Sequence, residues 1–241
     1  MCTVTLVARR NGYALGMNRD EKLTRPTALP PARQRLGRRH ALLPSEPNAG
    51  TWIGVNDAGA TLALINWYAA PIRVTGRPVT RGEIVRLALA GDSPVAVDEI
   101  LGRFPLRRVK PFRLIGVFLG DKAVVEWRWN CQRLECLHHS WQSNTWISSG
   151  FDETGAQQKR GRAYGDALRQ GSAGTADWLR RLHRSHGPGP SPYSTCMHRQ
   201  DAATVSYTEV TVSGRGATLR YAPGPPCCTP LMPGSSLPLD C

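Results

Sequence analysis

The chain opens "MCTVTLVARRNGYALGMNRDEK", which places a thiol at position 2 and a dense polar string, Asn18-Arg19-Asp20-Glu21, at the end of the next apolar run. An initiator methionine is generally trimmed when the next residue is small, and cysteine qualifies. Loss of Met1 would leave Cys2 with a free α-amine titrating near about 7.7–8.0, able to take a proton at neutral pH. A thiol beside its own amine is a nucleophile with a built-in base, and no histidine is required. Taken alone, Cys2 also fits a small buried core residue. The polar string changes the balance. Asn11-Gly12 signals a hairpin turn, and in an antiparallel hairpin the start of the first strand lies beside the end of the second. Cys2 is therefore expected next to Asn18, Arg19 and Asp20. A carboxylate there can hold the α-amine, and a guanidinium can lower the thiol pKa or bind a substrate anion.

Further along the chain, other polar residues stand in apolar surroundings. Asn66 ends the strand-like run "ATLALIN", where its amide either aims into a cleft as an oxyanion donor or starts a turn. Asn144 lies between Trp141 and Trp146 in "SWQSNTWISSGF", and a buried amide must find partners. Arg160 and Arg162 read as opening a helix, where cations oppose the macrodipole, so each is either matched by an outside partner or simply exposed, exposure being the default for both. Trp52, Trp67, Trp141 and Trp146 are candidates for an apolar pocket wall or for plain core.

The formal charge is +13, from 31 Lys and Arg against 18 Asp and Glu. Nearly all of it is arginine scattered from Arg9 to Arg220, which argues against a nucleic-acid stripe and leaves an anionic small substrate as a use for some of it. The 7 cysteines include no CxxC pair and no regular framework, so neither a disulfide scaffold nor a metal site is expected. The grouping of Cys136, His138 and His139 in "CLHHSW" lacks the paired spacing of structural zinc. No apolar run approaches the ~20 residues of a membrane span, and "VTLVA" with Arg9 and Arg10 behind it is no secretory signal. The expectation is a soluble cytoplasmic protein.

The elements that must position these residues come as hairpins near both ends with helices between. "TWIGVNDAGATLALINW" is the strongest hairpin, turning at "NDAG". Residues 22–50, rich in Pro and Arg, read as a long surface loop. Thr80 and Glu83 match a capping box, and Ser93-Pro94 starts a second helix. Residues 112–139 read as three strands, 155–169 and 174–185 as helices, and 203–222 as a final hairpin. The tail "PGPPCCTPLMPGSSLPLDC" reads as irregular. One domain over 1–222 with an irregular tail over 223–241 is expected. The pattern is α+β, and hairpins that bury both faces point to a four-layer αββα sandwich of two antiparallel sheets.

The string "MC…NRDE" resembles the signature of the NRDE (transport and Golgi organization) family. "GTWIGVNDAGATLALIN" and the Ser143-Asn144 step fit the same family in the same order. That family is in turn similar to the N-terminal-nucleophile (Ntn) hydrolases of the choloylglycine hydrolase and penicillin V acylase branch, which begin Met-Cys and fold as αββα. The resemblance implies Cys2 as nucleophile, its amine as base and Asp20 as the carboxylate orienting that amine. It implies Asn66 beside the oxyanion, Asn144 in the oxyanion hole, and either Arg160 or Arg162 as a later site arginine. Asn18, Arg19, Arg162 and Trp67 are the candidate binding residues. Met17 stands where the acylases carry arginine, with either Arg19 in its place or a site drifted from hydrolysis. The implied activity is cleavage of a non-peptide amide without a cofactor. The alternative is a non-catalytic carrier of haem or an acyl-CoA-like lipid, as the family's animal members are linked to haem trafficking and lipid homeostasis.

Overall fold

A computed structural model describes residues 2–240, so Met1, with the expected trimming, and Cys241 lie outside the described residues. In chain order the strands of the first half are β1 (Cys2–Arg9), β2 (Gly12–Lys22), β3 (Leu29–Leu36), β4 (Arg39–Ser45), β5 (Ile53–Asn56) and β6 (Ala60–Asn66). Helices α1 (Arg81–Ala88) and α2 (Pro94–Arg103) follow, then β7 (Phe112–Phe118), β8 (Ala123–Trp129), β9 (Leu134–His139) and β10 (Asn144–Ser148). Helices α3 (Glu153–Leu168) and α4 (Ala176–Arg184) precede β11 (Ala202–Ser213), β12 (Gly216–Ala222) and β13 (Ser235–Leu237).

All pairings are antiparallel. One sheet runs β10-β1-β2-β11-β12-β13 and the other β3-β4-β5-β6-β7-β8-β9. Strand side chains alternate between faces, and each sheet uses both. Val4, Leu6, Leu15 and Met17 of the first sheet meet Ile53, Val55, Ile65 and Val117 of the second in the central core. On the outer face of the second sheet, Leu62, Leu114 and Trp127 pack under Val85, Leu89, Val97 and Leu101 of the α1–α2 layer. On the outer face of the first, Val7 and Ala14 pack under Trp178, Leu179 and Leu182 of α4. The molecule is the expected α+β sandwich with layers αββα.

Helix starts follow the sequence signals. Thr80 accepts a hydrogen bond from the Gly82 N–H, and Ser93 accepts one from the Ala96 N–H ahead of Pro94. The expected loop over 22–50 is instead largely the hairpin β3–β4. Its first strand, "LPPARQRL", lies at a sheet edge, the one place where prolines and an outward-facing row of arginine are tolerated in a ladder. The tail is not wholly irregular: β13 pairs with β12 and Leu237 is buried in the central core. Gly12, at φ +152°, opens β2 where an added Cβ would lie 2.2 Å from the Val212 carbonyl oxygen, so only glycine lets β2 and β11 close there. Among the described residues, no helix is long and apolar enough to cross a membrane.

A buried carboxylate ties the two sheets at the β10 edge. Glu126 has a fully buried side chain and accepts from Arg113 at 2.5 Å, from Arg128 at 2.9 Å and from the Trp146 indole at 3.3 Å. Burial alone would raise its pKa, but hydrogen bonds and charge from Arg128 and Arg113 hold it down at about 2. Because the folded pKa lies below the unfolded value of about 4.5, the stabilisation is present above that value and lost as pH falls toward 2. Glu126→Gln is expected to lower stability at neutral pH by about 3 kcal/mol, the low end for breaking a buried ion pair because Arg128 reaches solvent. Urea unfolding against pH should show the wild-type loss between about pH 4.5 and 2 flattened in the variant.

Candidate active site

The β1–β2 register places Cys2 opposite Arg19 and Thr3 opposite Asn18. On its other side Cys2 faces Ser148 of β10. Directly opposed residues share a face, so Cys2, Arg19 and Ser148 point between the sheets, where Cys2 joins the central core. Cys2 is 7% exposed, and burial pushes its thiol pKa up, against lowering contributions that include a hydrogen bond from the Asp20 backbone and the Arg19 charge. Met17 is core on this same face, opposite Val4. Arg19 is the cation beside the thiol. Its guanidinium lies 4.3 Å from the Trp52 ring centre and 2.5 Å from Glu46.

Asn18 and Asp20 face the other way, toward α3 and α4. Asp20 accepts a hydrogen bond from Arg160 at 3.0 Å and one from the Thr204 hydroxyl at 2.6 Å. Arg160 also donates to the Thr3 hydroxyl at 2.8 Å and to the Pro192 carbonyl at 3.3 Å. Neither side chain of the pair touches solvent. The strand opposite adapts to this point: the β2–β11 register shifts between Thr204 and Ser206, so Thr204 faces Asp20 and Ser206 faces Arg19. A bulge of this kind re-aims a side chain beside a site.

Cys2, Arg19 and Asp20 border a cleft of about 390 Å³ whose walls include Glu46, Trp52, Asn66, Arg81 and Lys110. Glu21 and Arg25 sit at its edge, with Arg25 bridging Glu21 at 3.3 Å and Glu46 at 2.7 Å. Arg81 stands at the start of α1 and donates to the Pro111 carbonyl at 3.1 Å. Burial lowers its pKa, while Cys2 is among the groups that raise it. Among the described residues, no carboxylate lies within ion-pair distance of Arg81 or Lys110. Gly82 lets α1 close this wall, because an added Cβ would sit 2.8 Å from the Thr51 nitrogen.

The fold gathers some expected site residues and disperses others. Asn66 reaches the cleft, its amide donating to the Tyr68 hydroxyl at 2.7 Å. Asn144 does not. It pairs with Leu6, four residues along β1 from Cys2, a separation of about 13 Å at strand rise. Its side-chain oxygen instead accepts from the Thr145 N–H, and the residue facing Cys2 is Ser148. Of the two arginines, Arg160 is the buried one and Arg162 is exposed on α3. Arg160 lies in the middle of α3, not at its start, so its partner answers to helix phase and not to the macrodipole. Asn18 is a strut and not a cleft residue: it donates to the His183 carbonyl at 2.9 Å and the Thr195 carbonyl at 2.7 Å. Trp67 borders a different cleft with Arg113, Arg128 and Trp146. Arg81 and Lys110 were not anticipated. The capping box that locates the start of α1 was the available signal for Arg81; nothing in the sequence marks Lys110.

Comparison with solved structures finds the same architecture in Ntn hydrolases. Two variants of the conjugated bile acid hydrolase from Clostridium perfringens match with TM-scores of 0.57 and 0.59 at 9% identity, covering 98% and 100% of this chain and 97% of each of those. The penicillin V acylase from Agrobacterium tumefaciens matches with TM-score 0.52 at 11% identity, covering 92% of this chain and 86% of that one. At such identities the likeness establishes the fold. No curated protein matches by sequence. The family model described as Transport and Golgi organisation 2 matches residues 1–152, and the chain belongs to that family.

Proposed function

We propose that the protein is an Ntn-type hydrolase that cleaves a non-peptide amide bond through Cys2 after loss of Met1. The observation that carries this reading is the β1–β2 register, which sets the thiol beside Arg19 in an open cleft. In the proposed reaction the Cys2 sulfur attacks the amide carbonyl, and the α-amine takes the thiol proton. The amine then returns that proton to the leaving nitrogen, the C–N bond breaks, and water releases the acyl group from the sulfur. Asp20, fixed by Arg160 and Thr204, is the positioning carboxylate for the amine. A buried thiol whose pKa is raised gains from a base on its own residue, because little thiolate forms unaided.

The Asn66 amide is the side-chain donor in the cleft for an oxyanion, in the place Asn144 was expected to fill. Arg81 and Lys110 supply positive charge on the cleft wall opposite the hairpin. Trp52, stacked on Arg19, gives the cleft an apolar patch. This pairing suits an acyl amide that carries a carboxylate or similar anion on one side and an apolar group on the other. Two solved proteins of this fold are a conjugated bile acid hydrolase and a penicillin V acylase, which supports a hydrolytic reading.

Intact mass of the purified protein should lack Met1, and N-acyl amides should be hydrolysed by wild type and not by Cys2→Ala. Retained Met1 together with no acyl release from any amide would sink the reading. Asp20→Asn should move the acidic limb of kcat/KM to lower pH, because the amine loses the carboxylate that favours its protonated form. A mere structural role would lower activity without moving that limb. Arg81→Gln should raise KM about tenfold or more for anionic amides and leave neutral ones nearly unchanged, as expected for loss of one charge-assisted contact.

A further inference from the structure

Between α4 and β11 the chain makes a long irregular excursion that carries His186, Cys196 and His198, and the turn after β12 carries Cys227. One ligand atom from each of the four lies within 4.8 Å of all the others. The His186 and His198 Nε2 atoms are 3.1 Å apart. The Cys196 sulfur is 3.7 Å, and the Cys227 sulfur 3.6 Å, from the same His198 nitrogen. Tetrahedral zinc with bonds of about 2.3 Å to sulfur and about 2.0–2.1 Å to nitrogen sets ligand edges of about 3.3 Å between nitrogens and about 3.5 Å between nitrogen and sulfur. All three measured edges fall within a few tenths of an ångström of that figure. The spacing hid this group, because its members come from an irregular loop and a distant turn and form no CxxC or HxxxH pair.

We propose that His186, Cys196, His198 and Cys227 form a structural zinc site. Four protein ligands close a tetrahedron, the structural and not the catalytic form. Two thiolates and two imidazoles suit zinc and disfavour hard cations. On loading, the two thiols release two protons, and the two thiolate charges offset the metal's. The metal would tie the 185–201 excursion to the segment after β12. That excursion supplies the Thr195 carbonyl to Asn18, the Pro192 carbonyl to Arg160 and the Met197 N–H to Thr204, each a neighbour or partner of Asp20. Zinc would thus brace the back of the Cys2 site without entering the cleft, since none of its four ligands lines that space.

The test is the metal content of the full chain prepared under reducing conditions. One equivalent of zinc per chain is expected, lost in Cys196→Ser and Cys227→Ser and kept in Cys136→Ser, whose thiol lies on β9. In case those variants fail to fold, wild type stripped by a chelator and reloaded with cobalt should show tetrahedral d–d bands with thiolate-to-cobalt charge transfer. Zinc added back should restore the thermal midpoint that the chelator lowered. Substoichiometric zinc with no tetrahedral cobalt spectrum, or a Cys196–Cys227 disulfide in the reduced preparation, overturns the proposal.

Discussion

Asp20 and Arg160 form an ion pair from which water is excluded, and the arrangement of the site depends on how it is satisfied. Two charges without solvent are costly, and hydrogen bonds to their remaining lone pairs and N–H groups offset part of that cost. Here Thr204 takes one carboxylate oxygen, while Thr3 and the Pro192 carbonyl take further guanidinium hydrogens. The partners come from β1, β2, β11, α3 and the excursion before β11. Five chain segments converge because one carboxylate had to be neutralised. The pair therefore ties α3 to the end of β2, where the thiol's neighbour sits.

Charge on the other face of the same hairpin is arranged differently. Arg19 and Arg25 are matched by Glu21 and Glu46, and Arg19 also lies over Trp52. These cations are largely spent within the protein. Arg81 and Lys110, on elements of the second sheet's side, are the ones left facing the cleft. The high arginine content of the chain thus says little about ligands by itself, and position relative to carboxylates says more.

The parts of this structure legible in the sequence were those set by local signals. The Asn11-Gly12 turn, the Thr80 and Ser93 caps and the "NDAG" turn between β5 and β6 each act within a few residues. The neighbourhood of Cys2 and Arg19 followed because a hairpin's register is set by its own turn. Asn144 was misplaced for the opposite reason: β10 joins β1 across 140 residues of chain, and no local signal reveals that Ser148, not Asn144, meets Cys2. Helix phase separated Arg160 from Arg162, and phase needs the boundary set by Asp152, the N-cap of α3. The β3–β4 hairpin was missed because an edge strand tolerates the prolines and charges that read as loop.

The face alternation of β2 has a consequence for how this chain can change length. Arg19 must point between the sheets and Asp20 toward α3, while Cys2 keeps its place opposite Arg19. Adding or deleting one residue between positions 12 and 18 would exchange the two faces, turning the carboxylate between the sheets and the guanidinium against the helices. The stretch from thiol to carboxylate is therefore counted in twos. Extra residues can enter at the solvent-facing turn, but along β2 the chain behaves as a ruler whose odd divisions are forbidden.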